Sequence, residues 1–383
     1  MFYNVKHLCS AVLFIFVSLA LGCATSTGPG VARSPDSPPL SESDERQNLS
    51  VPGEGPGGSV SSNREEYNLM ANVREALDKG SVVETQLAEK LIEQLPDSSY
   101  SRFLAGSIYL RQGDIENARR QLTLSNVLDR SNDHALTALG DMAFDAGDFS
   151  EADLYYTKAH KAAATPSTAN RLALLRIQGG YLESAKEILS KTLSDHPGDI
   201  MTRNNLAIAM DMMGTTSEGI NILTGDGITD PQLLHTRALL ELKEGHPDRA
   251  IKDLETGFDS KSSDGEWLLK GIADLQQGRL NQAEDQFRAS ILASPEGFEG
   301  YLNLGLTLRR QGRFTEAEKI YREGLDRASH PDLHLNLGVL YELYRGEPAL
   351  ALDQYKQYLQ QEGPASDRVR GWAEFLEGVL GAN

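Results

Sequence analysis

A small residue recurs along this chain at nearly constant spacing. Gly106, Gly140, Ala173, Ala207, Ala238, Gly271, Gly305 and Gly338 are separated by steps of 34, 33, 34, 31, 33, 34 and 33 residues. Twelve residues after seven of them stands a second small residue: Ala118, Ala152, Ala185, Gly219, Ala250, Ala283 and Ala317. In the eighth unit this residue is Ala351, one place late, past an insertion around Arg345-Gly346. Four residues further on comes a large apolar residue, as in Leu122, Tyr156, Phe287, Tyr321 and Tyr355. A period of this length holds two antiparallel helices of about 14 residues and two turns. A helical glycine costs ~1 kcal/mol relative to alanine, so its return at one phase requires close approach of the two helices.

The turns carry matching chemistry. Gln112-Gly113-Asp114, Ala146-Gly147-Asp148, Gln277-Gly278-Arg279 and Gln311-Gly312-Arg313 place glycine at helix C-termini. His196-Pro197, His246-Pro247 and His330-Pro331 mark helix boundaries. The fourth and fifth units depart from the pattern: Gly219 and Gly225-Asp226-Gly227 weaken a second helix, which predicts an irregularity or hinge between about 214 and 232.

The pattern resembles the tetratricopeptide repeat (TPR) family. Its best unit is Tyr301-Leu302-Asn303-Leu304-Gly305 with Gly312, Ala317 and Tyr321, followed by Trp267-Leu268-Leu269-Lys270-Gly271 with Ala283 and Phe287. The resemblance implies an all-α, right-handed superhelical solenoid of about eight repeats over residues 99–365. Residues 64–98 are expected to form an N-terminal helix pair, a possible degenerate repeat. Residues 366–383, with Trp372 and Phe375, are expected to form a C-terminal capping helix. It also implies a concave groove that binds proteins or peptides. In this family an Asn two residues before the small residue often contacts the bound backbone, and here Asn205, Asn303 and Asn336 hold that place. Thr236 and Leu269 interrupt the series. Arg309 and Arg310 are expected at groove phases, where with Asn303 they can receive an acidic or C-terminal carboxylate. Met201, Met210, Met212 and Met213 suit core filling or, less so, an adaptable binding surface.

The first 63 residues read as an address and a tether. Leu8 to Gly22 is a charge-free apolar run, too short to span a bilayer and fitting a secretory signal over residues 1–22. It ends Leu19-Ala20-Leu21-Gly22-Cys23, which resembles the lipobox of bacterial lipoproteins and implies acylation of Cys23. Ala24 follows, and by that resemblance the expected location is the outer membrane, facing the periplasm. Residues 23–63 hold prolines 29, 35, 38, 39, 52 and 56 among many Gly and Ser residues, a composition that cannot bury enough surface to fold. Such a linker reaches very roughly 35 Å. Gly53-Glu54-Gly55-Pro56-Gly57-Gly58 matches a dinucleotide-binding pattern, but the strand and helix that the pattern needs are missing.

A net charge of −18 opposes nucleic acid and anionic lipid as direct ligands; the membrane is expected to be met only through Cys23. The only cysteines, Cys9 and Cys23, precede the repeats, so no disulfide framework or Cys-rich metal site is expected there. The eight histidines are scattered, and His330 of the pair His330/His334 precedes a proline. No HExxH, GxSxG or GxxxxGK[ST] occurs, and neither a metal nor a cofactor is called for. The expectation is a non-enzymatic adaptor for envelope proteins. It looks like repeat lipoproteins that assist pilus secretin assembly, organise peptidoglycan enzymes or accompany TonB-type systems. The alternatives are a periplasmic chaperone for unfolded clients and, less favoured, an enzyme with an unrecognised site.

Overall fold

The computed structural model describes residues 68–75, 77, 85–225, 229–257, 264–361 and 363–381. Cys23, the apolar run before it and the Gly/Pro/Ser-rich stretch lie outside the described residues. Among the described residues every regular element is helical. They are α1 Thr85–Gln94, α2 Ser99–Arg111, α3 Ile115–Leu128, α4 Asp133–Asp145, α5 Phe149–Ala162, α6 Pro166–Gln178, α7 Leu182–Asp195, α8 Ile200–Met212 and α9 Thr216–Ile222. There follow α10 Pro231–Glu244, α11 Pro247–Gly257, α12 Asp264–Gln276, α13 Leu280–Ala293, α14 Phe298–Arg310, α15 Phe314–Arg327, α16 Pro331–Leu340, α17 Pro348–Gln360 and α18 Ser366–Gly381. From α2 to α17 they alternate as first and second helices of eight pairs.

Local chemistry sets the ends of these helices. Ser98, Asp114, Asn132, Asp148 and Asp230 accept backbone N–H groups as N-caps, each contributing about 1 kcal/mol. Pro166, Pro231, Pro247, Pro331 and Pro348 open helices, where a missing N–H costs nothing. Within the pairs the turn demands a left-handed residue, met by Gly113, Gly147, Gly278 and Gly312 at φ 76°, 78°, 74° and 77°. A side chain there costs about 1–2 kcal/mol.

The recurring small residues meet the second helix. A Cβ on Gly106 would lie 2.7 Å from Leu122, one on Gly140 2.6 Å from Tyr156, and one on Gly338 2.5 Å from Tyr355. Ala118, Ala152, Ala283 and Ala317 are fully buried opposite. Phe287, Tyr321 and Tyr355 have no exposed surface, and each such ring contributes about 1.5–3 kcal/mol by burial.

Contacts divide the described residues into two compact units, one ending at Thr202 and one beginning at Arg203. The first unit starts from a core in which Val73 and Leu77 pack with Ala88, Leu91, Leu104 and Ile108. In the second unit each first helix touches the next first helix, α10 on α12, α12 on α14 and α14 on α16. The second helices have no comparable mutual contact, so the first-helix side is the inner one.

Two sequence irregularities acquire physical form in that second unit. Helix α9 has only 7 residues, and Gly219 lets it approach α8 so closely that a Cβ would lie 2.8 Å from the Ala207 carbonyl oxygen. In the eighth pair α16 ends in a π-helical segment, Tyr341–Arg345, closed by Gly346 at φ 67°. The wider turn takes up the extra residue, and Ala351 returns to full burial. Helix α18 then covers α17 with Val369, Ala373 and Leu376.

Candidate protein-interaction surface

The inner, first-helix side is where the sequence places a partner. Polar rungs join α10, α12 and α14 each to the first helix before it. Lys243 Nζ donates to Asp211 Oδ1 at 2.7 Å, Gln276 Nε2 to the Leu242 carbonyl at 3.2 Å, and Arg310 Nη1 to the Leu275 carbonyl at 3.0 Å. Each donor stands five residues after its small residue, and each acceptor four residues after the preceding one. Arg111 repeats the relationship in the first unit, donating to the Leu77 carbonyl. The carbonyl acceptors of Gln276 and Arg310 lie in last helical turns, where a donor or cation is favoured. The Leu275 oxygen also takes the Gly278 N–H at 3.2 Å, so Arg310 fills its second lone pair.

The asparagines lie inside the wall rather than on it. Asn205 and Asn303 are 2% exposed and Asn336 7%. Asn303 Nδ2 donates to the Glu299 carbonyl at 2.8 Å, and Asn336 Nδ2 to that of Asp332 at 2.9 Å, each one turn back on its own helix. Asn303 and Asn336 thus brace their own helices, and all three asparagines are too buried to project as a ready ladder of peptide contacts.

Arg309 and Arg310 do not act together. Seven residues separate Asn303 from Arg310, which brings them to one face of α14; six separate it from Arg309, which turns that side chain away. Arg309 follows Gly305 by four residues and so faces the second-helix side. Its guanidinium lies over the Tyr344 ring at 5.5 Å. The Arg309 Nη1 and the Tyr321 hydroxyl are both buried without a hydrogen-bond partner among the described residues. Burial pushes the Tyr321 hydroxyl well above its ordinary value, against the opposing pull of Arg309. The expected cationic patch is therefore Arg310 alone, already engaged as a rung. Periodicity could have separated the two arginines, since a helix turns 100° per residue.

Four methionines divide differently from the expectation of core filling. Met210 is 7% exposed, whereas Met201 and Met212 are 52% and 38% exposed on α8. Leu343 and Tyr344, at the π segment, are 65% and 46% exposed. Lys243 and Asp211 form the most buried rung, with the Asp211 side chain 1% exposed and also receiving the Thr216 hydroxyl at 2.7 Å. Sequence reading missed the rung position, although its five-residue offset from each small residue was visible.

Among the described residues no cluster of three or more His, Cys, Asp or Glu side chains is arranged to hold a metal ion. Nor is any described helix long and apolar enough to cross a membrane.

In-phase helix pairs, turn glycines and ring-filled small-residue slots define a helical-repeat scaffold. The tetratricopeptide repeat model matches residues 103–168 and 268–332, so these stretches are tetratricopeptide repeats. Repeats of this family make it a scaffold for protein–protein interaction. In sequence it is similar to protein O-mannosyl-transferase TMTC1 of Mus musculus, 26% identical over 52% of this chain and 22% of that one. The Homo sapiens counterpart is 24% identical over 50% and 23%. The chain thus spans less than a quarter of these relatives, and the transferase activity in their name does not come with the match. In fold it is similar to a tetratricopeptide repeat protein from Parabacteroides merdae, with TM-score 0.53 and 17% identity over 64% of this chain and 99% of that one. A human IFIT1 dimer gives TM-score 0.53 and 16% identity over 82% and 80%. At these identities the likeness is one of fold.

Proposed function

We propose that this protein is an outer-membrane-anchored adaptor, held by acyl chains on Cys23 and facing the periplasm, that joins envelope proteins through the inner surface of its repeats. The single observation that carries the reading is the run Leu8–Gly22 ending at Cys23, set ahead of a repeat scaffold. Each buried acyl methylene contributes about 0.8 kcal/mol, so two or more chains give lasting attachment. A linker of residues 23–63 gives the array very roughly 35 Å of freedom, enough to reach partners off the membrane plane. Envelope assembly, including pilus secretin, peptidoglycan-enzyme or TonB-type complexes, is the setting this address suits. A stable stoichiometric complex distinguishes an adaptor from a chaperone, which holds many unfolded chains weakly.

The test is fractionation of cells carrying wild-type or Cys23→Ser protein, followed by in-cell crosslinking and mass spectrometry. Release of the Cys23→Ser chain from membranes, with a stoichiometric partner captured by wild type, supports the reading. An unchanged membrane fraction removes the anchor, and dispersed capture of many unfolded chains replaces the adaptor with a chaperone.

A further inference from the structure

Tyr321 fills the slot at Gly305, and its hydroxyl is buried with no hydrogen-bond partner among the described residues. The same holds for Arg309 Nη1, from the last turn of α14. The two groups are close enough to interact, Arg309 opposing the upward push of burial on the Tyr321 hydroxyl. Both can donate, and neither meets an acceptor among the described residues. A buried donor left unsatisfied is costly, and more so when it carries charge.

The chain contains the completed form of this arrangement. In the second pair Tyr156 fills the slot at Gly140. Its hydroxyl donates to Asp141 Oδ1 at 2.7 Å, and Arg171 Nε donates to the same oxygen at 2.7 Å. One carboxylate thus serves a slot tyrosine and an arginine. In the eighth pair the Tyr355 hydroxyl donates to Glu342 Oε2 at 2.6 Å, and Glu342 stands four residues after Gly338. Arg309 stands four residues after Gly305, so the seventh pair has a guanidinium where the eighth has the acid. The seventh pair holds the tyrosine and the arginine but lacks the carboxylate.

Neighbouring acids are committed elsewhere. Glu342 takes the Tyr355 hydroxyl, and Glu318 takes the Tyr341 hydroxyl at 2.8 Å and Arg345 Nη1 at 2.9 Å. The ring beside the guanidinium is movable: Tyr344 is half-exposed on the π-helical segment, and such side chains change rotamer readily. Leu343 next to it is more exposed still and adds apolar surface at the entrance. A water accepting both hydrogen bonds would leave the guanidinium uncompensated, whereas a carboxylate supplies two acceptor oxygens and the charge. The net charge of −18 does not forbid this, because exposed charges beyond about 8 Å are screened at physiological ionic strength.

We propose that Arg309 and Tyr321 form a docking site for a carboxylate brought by a protein partner, with an apolar side chain next to that carboxylate packing on Leu343 and Tyr344. The site faces the second-helix side, so it depends neither on the Cys23 anchor nor on the inner surface of the repeats. Two hydrogen bonds to charged groups set the expected dissociation constant of a minimal ligand at about 1–10 mM. The test is titration calorimetry of the full chain in detergent, at fixed ionic strength, with dipeptides up to about 50 mM. N-acetyl-leucyl-glutamate amide offers a side-chain carboxylate, N-acetyl-leucyl-leucine a C-terminal one, and N-acetyl-leucyl-glutamine amide neither. At least one of the first two should bind, which identifies the source of the carboxylate, and the third should not. Arg309→Met and Arg309→Glu should each weaken binding at least about tenfold, and Tyr321→Phe, which keeps the ring, at least about threefold. Arg309→Glu gives Tyr321 the acceptor that Tyr355 has in Glu342, so its unfolding midpoint should match or exceed that of Arg309→Met and separate loss of the site from loss of the fold. Equal binding of the glutamine dipeptide, no binding of either carboxylate, or binding indifferent to Arg309→Met and Tyr321→Phe overturns the proposal.

Discussion

Gly271 and Phe287 occupy one another's space so fully that a single added carbon on the glycine would lie 2.5 Å from the ring. Phe287 has no exposed surface to retreat into. Gly271→Ala should therefore destabilise by about 1–3 kcal/mol, overpacking outweighing alanine's helix preference of ~1 kcal/mol. Gly378 in α18 has nothing within 4 Å, and Gly378→Ala should stabilise by up to about 1 kcal/mol. Urea midpoints of the two variants, moving in opposite directions, check the packing argument. Equal shifts would contradict it.

Lys243→Met should be the most damaging change on the inner surface. It leaves the Asp211 carboxylate, 1% exposed, with the Thr216 hydroxyl and no cation. Removing one partner of a buried pair costs about 3–5 kcal/mol, and the 21% exposure of Lys243 places this case near the lower end. Lys243→Met combined with Asp211→Leu should recover most of the loss. A double-mutant cycle by denaturant unfolding measures the coupling.

Arg310→Met and Arg309→Met should differ in kind. The first removes the bond to the Leu275 carbonyl, which joins α14 to α12, and should cost about 0.5–1.5 kcal/mol. It should also raise hydrogen exchange in the last turn of α12. The second should leave α12 exchange unchanged, because Arg309 lies over Tyr344 instead. Exchange followed by mass spectrometry separates them.

Acid should loosen the array before carboxylates titrate. Burial holds His160 and His330 below the ordinary imidazole value and His235 down to about 4. His330 Nδ1 accepts the Asp332 N–H at 3.3 Å, a bond only the neutral ring can make. Below pH ~6.5 the unfolded chain binds these protons and the native one resists them, so stability rises with pH and falls as pH drops through that window. His235→Gln should flatten the fall in unfolding midpoint between pH 6.5 and 4.5. A variant with the wild-type slope would assign the dependence elsewhere.

The first-helix small residues, the second-helix rings and the turn glycines were all legible because each is a local rule repeated at one phase. Pro247 and Pro331 marked helix starts for the same reason. The extra residue near Gly346 was legible as an insertion, but its form as a π-helical turn was not, since several backbone routes absorb one residue. The surface was harder to read. Arg309 and Arg310 are neighbours in sequence, yet 100° of helical rotation sends one over the Tyr344 ring and the other across to Leu275.

By itself the sequence determined the unit: a helix pair held close by small residues, bounded by capped turns and repeated in register. Those features depend on contacts within about 34 residues, so composition and spacing specify them. Tertiary structure alone decided which polar groups remain available. Asn303 and Asn336 turn back on their own helices, and Arg310 and Lys243 reach into the preceding repeat. These outcomes depend on what the neighbouring helix presents at each point. Burial and hydrogen bonding are properties of the assembled stack, which no single repeat contains.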